Sequence, residues 1–166
     1  MEVCGIDPGL EVSGYAVIAI NSRSTTIREA GICRTDPHAP LPERLAQIEA
    51  DFNTILERWR PQAVGVEQLY AHYKHPRTAI LMGHARGVIL AAAERMGVTV
   101  YSFNPTQVKR YLTGNGRASK TQVQRAIMAS FGLTTPPEPH DVADALAIGL
   151  CCANECRQTQ RQVARV

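Results

Sequence analysis

Four acidic residues stand where side chains from separate segments could meet. Asp7 follows a short apolar segment near the N-terminus, and Glu67 follows a second apolar segment of the same kind. Asp141 and Asp144 are three residues apart at the start of a predicted last helix, so they project on the same side of it. Four carboxylates brought together raise one another's pKa and favour a divalent cation such as magnesium. Two such ions can activate water and stabilise the leaving oxygen in phosphodiester hydrolysis.

Each acid also has a simpler interpretation. Asp7 stands before a Pro-Gly pair and is typical of a turn, and Glu67 is typical of an exposed strand end. Asp141 and Asp144 in a first helical turn would complement the helix dipole. His140, beside Asp141, could be a neighbour of the helix cap, a metal ligand or a proton shuttle.

Two glycines favour a shared site over these separate roles. Gly5 precedes Asp7 by two residues, and Gly65 precedes Glu67 by two residues. Because side chains alternate along a strand, each glycine shares a strand face with the acid that follows it. The absence of a side chain below each acid predicts a groove that the backbone of a helix can approach closely.

Positive charge is concentrated in the middle of the chain. Residues 1–67 carry ten acids and six bases, whereas residues 68–137 contain Glu94 as their one acid. The bases of this middle segment, called the basic block below, are Lys74, Arg77, Arg86, Arg95, Lys109, Arg110, Arg117, Lys120 and Arg125. A field of one sign attracts polyanions, so the basic block indicates binding to a nucleic-acid backbone.

The elements that must position these residues follow from apolar periodicity and turn residues. Strands are predicted over 3–6, 14–20, 25–34, 63–66 and 98–103. Helices are predicted over 41–60, 76–96, 105–112, 119–131 and 140–156, with Asn104 and Ser119 as caps. The first three strands form an antiparallel meander, and the later alternation of strand and helix favours parallel pairing. The predicted fold class is α/β, with a mixed sheet and helices on both faces.

Bulk properties favour one domain. The 166 residues are 45% hydrophobic, and we expect a single domain over 1–156 with a polar, disordered tail over 157–166. No apolar run is long enough to span a bilayer, and no leader segment is evident, so a soluble, cytoplasmic protein is expected. The five cysteines lack a spacing typical of zinc sites or disulfides and are expected to be reduced.

Several short motifs, in this order and spacing, resemble the RuvC family of Holliday junction resolvases over residues 2–155. They are Gly-Ile-Asp-Pro-Gly at 5–9, Gly-Tyr at 14–15, Val-Glu-Gln at 66–68, Gly-His-Ala-Arg-Gly-Val at 83–88, Gln-Val-Lys at 107–109, Ser-Lys at 119–120, and Asp-Val-Ala-Asp-Ala-Leu-Ala at 141–147. The resemblance implies a ribonuclease H-like fold, a homodimer, and a metal-binding tetrad at Asp7, Glu67, Asp141 and Asp144. It also implies that Lys109 and Lys120 lie near the scissile phosphate.

The resemblance implies that an aromatic side chain stacks on bases at the junction centre, and in this chain that position is occupied by Tyr70. Tyr73 and Lys74 follow closely, and residues 71–77 are where the chain departs most from the family. Relatives differ in whether the third metal ligand is Asp or His, and Asp141 preserves the spacing to Asp144 better than His140 does. Charge and resemblance together predict these DNA-binding residues: Tyr70, Tyr73, Lys74, Arg77, Lys109, Arg110, Arg117 and Lys120.

The expected function is resolution of four-way DNA junctions by paired, symmetric nicks in recombination and repair. The resemblance implies one or two magnesium ions per subunit, replaceable by manganese, products with 5′-phosphate and 3′-hydroxyl ends, and the RuvA–RuvB branch-migration complex as partner. A two-fold dimer would present two matched sites, and the predicted helix over 76–96 has two apolar faces, one of which could meet a partner subunit. The alternatives are a non-catalytic junction-binding module and a phosphotransfer enzyme of the actin and sugar-kinase superfamily, for which the chain lacks room for a second domain.

Overall fold

A mixed sheet forms the centre of the molecule. The computed structural model describes residues 1–21, 24–69 and 76–163. Within them the strands are β1 (Glu2–Asp7), β2 (Val12–Ile20), β3 (Thr25–Arg34), β4 (Ala63–Glu67) and β5 (Thr99–Phe103), in the spatial order β3-β2-β1-β4-β5. β1, β2 and β3 pair antiparallel, whereas β4 pairs in parallel with both β1 and β5. The predicted sheet, antiparallel first and parallel afterwards, is confirmed.

Helices cover both faces of this sheet, as predicted. They are α1 (Leu41–Trp59), α2 (Pro76–Arg95), α3 (Pro105–Thr113), α4 (Lys120–Phe131) and α5 (His140–Val163). One buried cluster packs α1 and α2 against the sheet, with Phe52 fully buried at its centre. The other packs α3, α4 and α5 against the opposite face, with Ile127 and Leu146 fully buried. The sheet is therefore the middle layer of three.

Helix α5 lies unusually close to the sheet because the facing residues are small. A Cβ atom on Gly5 would overlap the carbonyl oxygen of Ala145 and the backbone nitrogen of Gly149. A Cβ on Gly65 would lie 2.8 Å from the Cβ of Cys152, which is closer than real Cβ atoms approach. The predicted groove above the two glycines thus exists, and α5 fills it with its backbone at Gly5 and with side chains at Gly65.

The starts of α3 and α4 are fixed by side-chain caps. Asn104 accepts a hydrogen bond from the backbone N–H of Gln107 at 2.8 Å, and the Gln107 side chain accepts one from the N–H of Asn104 in return. Ser119 and Gln122 form the same reciprocal pair at α4. Both caps were predicted, and they set where the helices that carry Lys109 and Lys120 begin.

Helix α5 extends past the predicted end. It continues to Val163, so the boundary predicted at Cys156 is too early and residues 157–163 are helical. The segment contains Gln and Arg, which favour helices, and no Gly or Pro that would end one. Arg157 also donates a hydrogen bond to the carbonyl oxygen of Asn21 at 2.9 Å, which fastens the extension to the end of β2.

The buried stripe of α2 differs from either predicted apolar face. Ala85, Ile89, Ala92 and Ala93 are buried, whereas Ile80 is 63% exposed. The sequence predicted Ala85, Ala92 and the exposed Ile80 on one apolar face and Ala93 on the other, and it placed Ile89 on neither, because a helix rich in alanine gives little contrast between its sides. Ile80, at the start of α2, is the most exposed large apolar side chain in the described ranges.

The cysteines are all free thiols in buried positions. Burial raises the pKa of Cys4 and of Cys33 to about 12. Within the described ranges, the helices are too short or too polar for one of them to cross a membrane.

Candidate active site

Two of the four acids lie side by side at the carboxyl edge of the sheet. β1 and β4 pair in parallel with Ile6 opposite Val66, so the next residues, Asp7 and Glu67, end neighbouring strands. The two side chains are close enough to form a hydrogen bond with each other. Two carboxyl groups this close indicate a site short of positive charge.

The other two acids reach the same place from the first two turns of α5. A Cβ atom on Gly14 would overlap the backbone carbonyl of Asp141, so β2 holds the start of α5 directly against it. Gly14 is also the antiparallel partner of Asp7. The charges of both Asp141 and Asp144 raise the pKa of Asp7, so all four carboxyl groups interact.

The pKa values of these acids report burial and mutual repulsion. Burial, and then the charges of Glu67, Asp144 and Asp141, raise the pKa of Asp7 to about 8. Burial and the charge of Asp144 raise the pKa of Glu67. The pKa of Asp144 is raised mainly by partial withdrawal from water, although its side chain still reaches the surface. At neutral pH the group therefore resists carrying its full negative charge.

The donor chemistry of the group fits a divalent metal ion. As they stand, no three His, Cys, Asp or Glu side chains in the described ranges form a group that could hold an ion. The raised pKa of Asp7 nevertheless marks excess negative charge at oxygen donors, which a hard divalent cation would relieve. Asp7, Glu67, Asp141 and Asp144 are the residues that would hold it.

Two lysines from separate helices face these acids. A cavity of about 300 Å³ is lined by Glu67 and Asp144 on one side and by Lys109 of α3 and Lys120 of α4 on the other. The positive charge of Lys120, and less strongly that of Lys109, opposes the rise in the pKa of Asp144. His140 lines the same cavity and acts on Asp144 in the same direction. Both predicted lysines and two of the four predicted acids, Glu67 and Asp144, thus line one cavity.

A second cavity adjoins the first on the α2 side. Its volume is about 200 Å³, and Asp7, Glu67 and Met82 are among the residues that line it. Arg86 of α2 donates hydrogen bonds to the backbone carbonyl of Glu67 at 2.9 Å and to the Ser102 hydroxyl at 2.8 Å. Arg86 therefore fixes the end of β4 that presents Glu67.

Sequence reasoning did not assign Arg86 or Gly14 to the site. Both belong to motifs that carry the family resemblance, Gly-Tyr at 14–15 and Gly-His-Ala-Arg-Gly-Val at 83–88. Membership of these motifs was the signal in the sequence that could have assigned the two residues to the site. The bond from Arg86 to a backbone carbonyl could not be inferred from residue spacing.

The remaining predicted DNA-binding residues fall into two groups. Arg77, Arg110 and Arg117 are exposed, and Gly116 beside Arg117 lies close to the side chain of Thr106. Tyr70, Tyr73 and Lys74 lie outside the described residues. Only the first group is placed by the structure, with Arg77 on α2, Arg110 on α3 and Arg117 in the connection from α3 to α4.

Comparison with known proteins gives a consistent result. Residues 3–152 match the family model for crossover junction endodeoxyribonuclease RuvC. The RuvC of Rhodopirellula baltica is 48% identical over 149 residues, which cover 90% of this chain and 84% of that protein. The RuvC of Thermus thermophilus superposes with a TM-score of 0.89 at 36% identity, covering 96% of this chain and 97% of that one. A second structure, described as that RuvC in complex with a Holliday junction substrate, also has a TM-score of 0.89.

The mixed sheet and these matches define a Holliday junction resolvase with a ribonuclease H-like fold. Such an enzyme is an endonuclease that hydrolyses phosphodiester bonds of four-way DNA in recombination and repair. The chain belongs to the RuvC family of crossover junction endodeoxyribonucleases. Nucleases of this family depend on divalent metal ions.

Proposed function

We propose that this chain resolves Holliday junctions at the group formed by Asp7, Glu67, Asp141 and Asp144, using magnesium, with manganese as a substitute. The observation that carries the proposal is the meeting of the four carboxyl groups at the sheet edge, where parallel β1 and β4 end and the start of α5 packs against β2. Such a group loses its repulsion when a divalent cation binds. Magnesium ions, one or two per subunit, would lower the pKa of a bound water and stabilise the leaving oxygen.

The protein's own side chains supply orientation and charge. Asp7 and Glu67 are held on rigid strand ends, and Asp141 and Asp144 on a helix pressed against them, so the carboxylates keep fixed relative positions. Lys109 and Lys120 face the acids across the cavity and would neutralise the charge that develops on the scissile phosphate. Hydrolysis then leaves 5′-phosphate and 3′-hydroxyl ends, which a ligase can rejoin.

Junction DNA would contact the exposed arginines of the basic block. The solved Thermus relative that is described as a Holliday junction complex supports the same substrate here. Arg77, Arg110 and Arg117 are exposed and available to phosphates. Tyr70, Tyr73 and Lys74, which the structure does not describe, are assigned to base stacking and phosphate contact at the junction centre.

The active form would be a homodimer. A four-way junction has approximate two-fold symmetry, and two identical sites in a fixed relation can make a matched pair of nicks. Ile80, exposed on α2, is the apolar residue that this arrangement would cover. By family, the enzyme would act with the RuvA–RuvB branch-migration complex, and a DNA substrate together with five unpaired cysteines supports a cytoplasmic location.

The test separates cutting from binding. A labelled four-way junction is incubated with the wild type and with Asp7→Asn, Glu67→Gln, Asp141→Asn or Asp144→Asn, each with and without magnesium. We expect magnesium-dependent paired nicks from the wild type and loss of cutting by at least about 100-fold in each variant. Junction affinity should remain within a few-fold, because the basic block is unchanged.

The lysines are tested in the same assay under saturating protein. Lys109→Ala and Lys120→Ala should each slow the cutting step by about 100-fold, whereas Arg34→Ala, an exposed arginine at the end of β3, should leave it unchanged. Equal losses of binding and cutting in the acid variants would contradict the proposed site. Binding without any magnesium-dependent cutting by the wild type would favour the non-catalytic module.

A further inference from the structure

The cavity beside the acids is lined by apolar residues as well as by charged ones. Its rim carries charge, from Glu67, Asp144, Lys109 and Lys120, but its volume of about 300 Å³ continues inwards between α3, α4 and α5. The floor is apolar and includes Val108, Val123, Ile127, Ala143 and Ala147. A charged mouth above an apolar floor is typical of a pocket for an amphipathic small group.

Helical periodicity explains this layering. On α4 the lining positions are Lys120, Val123, Gln124 and Ile127, which repeat every three or four residues and so share one face. The polar residue stands at the first turn, nearest the acids, and the apolar residues follow deeper in the molecule. On α5 the lining residues run from His140 and Asp144 in the first two turns to Ala147 and Ile148 further along the helix.

Gln124 is the exception to the apolar floor. It lies one turn deeper than Lys120, between Val123 and Ile127, and its side chain is half-buried. Gln107 and Gln122 are both used in helix caps, whereas the Gln124 amide makes no hydrogen bond to another residue in the part of the chain that the structure describes. An amide with one acceptor and two donors is therefore free inside the cavity.

We propose that this cavity receives the nucleobase adjacent to the scissile phosphate and that Gln124 reads the edge of that base. The proposal rests on the proposed function, because the acids and lysines at the rim must first hold the phosphate. A base drawn out of its stack would place its flat apolar faces against valine, isoleucine and alanine, with its hydrogen-bonding edge towards the amide. The cost of unstacking is lowest for bases that are already unpaired, as at a branch point.

The first experiment measures base preference. Junctions that differ only in the base on the 5′ or the 3′ side of the cut are resolved under single-turnover conditions with magnesium. We expect the cutting rate of the wild type to depend on the base on one of these two sides. Among the junctions that differ at that position, the rates should differ by about tenfold or more, as expected when an amide pairs with a base edge. Gln124→Leu should reduce this difference in cutting rate to about twofold. Gln158→Leu, the same change at an exposed position late in α5, should leave the difference unchanged.

The second experiment fills the cavity. Val123→Phe should slow cutting of ordinary junctions by about tenfold or more, since the base can no longer enter. On a junction that lacks the base at the discriminated position, Val123→Phe and the wild type should cut at equal rates. Thermal unfolding of each variant shows that it is folded.

The outcomes separate the two proposals. A wild-type difference in cutting rate that persists in Gln124→Leu, or a Val123→Phe defect that persists on the abasic junction, would overturn the base pocket and leave the nuclease assignment intact. A wild type that cuts all junctions at the same rate would also overturn the pocket. A wild type that cuts none of them would overturn both.

Discussion

At the scale of single residues, Asp7 is the side chain whose environment departs furthest from that of an ordinary surface carboxyl group. Burial and three neighbouring carboxylates hold its pKa at about 8, against an ordinary value of 3.8. Between these two pH values the folded protein retains a proton that the unfolded chain has lost. The unfolding free energy of the metal-free protein must therefore fall as pH rises from about 4 to about 8.

The substitution Asp7→Asn removes this titration. Without metal at pH 8, we expect the variant to be more stable than the wild type by at least about 1 kcal/mol, the free energy of one pKa unit. The difference should shrink towards pH 4. Urea unfolding at several pH values in the presence of a chelator measures it, with Glu57→Gln, an exposed acid on α1, as the control. Parallel pH profiles for the wild type and Asp7→Asn would contradict the repulsive group.

The residue scale also shows the limit of sequence reasoning. Asp7 and Glu67 could be predicted together because parallel strands end at one edge and both carry the Gly-x-acid pattern. The approach of Lys109 and Lys120 to the acids was available through family resemblance alone. It depends on how α3 and α4 pack across α5, which no local spacing specifies.

At the scale of elements, the site depends on how closely α5 approaches the sheet. Gly5, Gly14 and Gly65 each face this helix, and a side chain on any of them would meet it. The first and last of these could be predicted from their strand faces. Gly14 could not be predicted in this way, because it lies on an antiparallel strand that carries no acidic residue.

The substitution Gly5→Ala tests this packing. Its new methyl group would overlap backbone atoms of Ala145 and Gly149, which cannot move aside as a flexible side chain can. We expect a loss of about 3 kcal/mol or more in unfolding free energy, together with weaker metal binding, because α5 carries two of the four acids. Denaturant unfolding and calorimetric titration with manganese measure the two effects.

The matched control is Gly87→Ala in α2. A Cβ atom there meets nothing within 4 Å, so the methyl group costs no space. Alanine favours helix over glycine, and this variant should be more stable by up to about 1 kcal/mol. Equal effects of the two substitutions would show that α5 does not depend on the glycine contact.

At the scale of the whole molecule, the sheet separates the candidate active site from the exposed apolar residue of α2. The face covered by α3, α4 and α5 contains the acids and lysines, whereas α2 on the other face exposes Ile80 near the same sheet edge. The overall topology could be predicted from the alternation of elements. The exposed side of α2 could not be predicted, because alanine is compatible with both buried and exposed positions.

Introducing charge at Ile80 tests the proposed dimer. Ile80→Glu should convert a dimer into a monomer, and Ala50→Glu, an equally exposed change on α1, should not. Light scattering coupled to size exclusion measures the molecular mass. In junction assays the monomer should make single nicks in place of matched pairs. A variant that stays dimeric and nicks in pairs would place the subunit contact elsewhere.

The most direct measurement for the whole account is a crystal structure of the protein soaked with manganese, with the ion located by its anomalous scattering. We predict manganese bound between the strand-end acids Asp7 and Glu67 and the α5 acids Asp141 and Asp144, at about 2.0–2.3 Å from carboxylate oxygens. Manganese bound elsewhere, or no ion at these four side chains at saturating concentration, would contradict the assignment of this group as the nuclease centre.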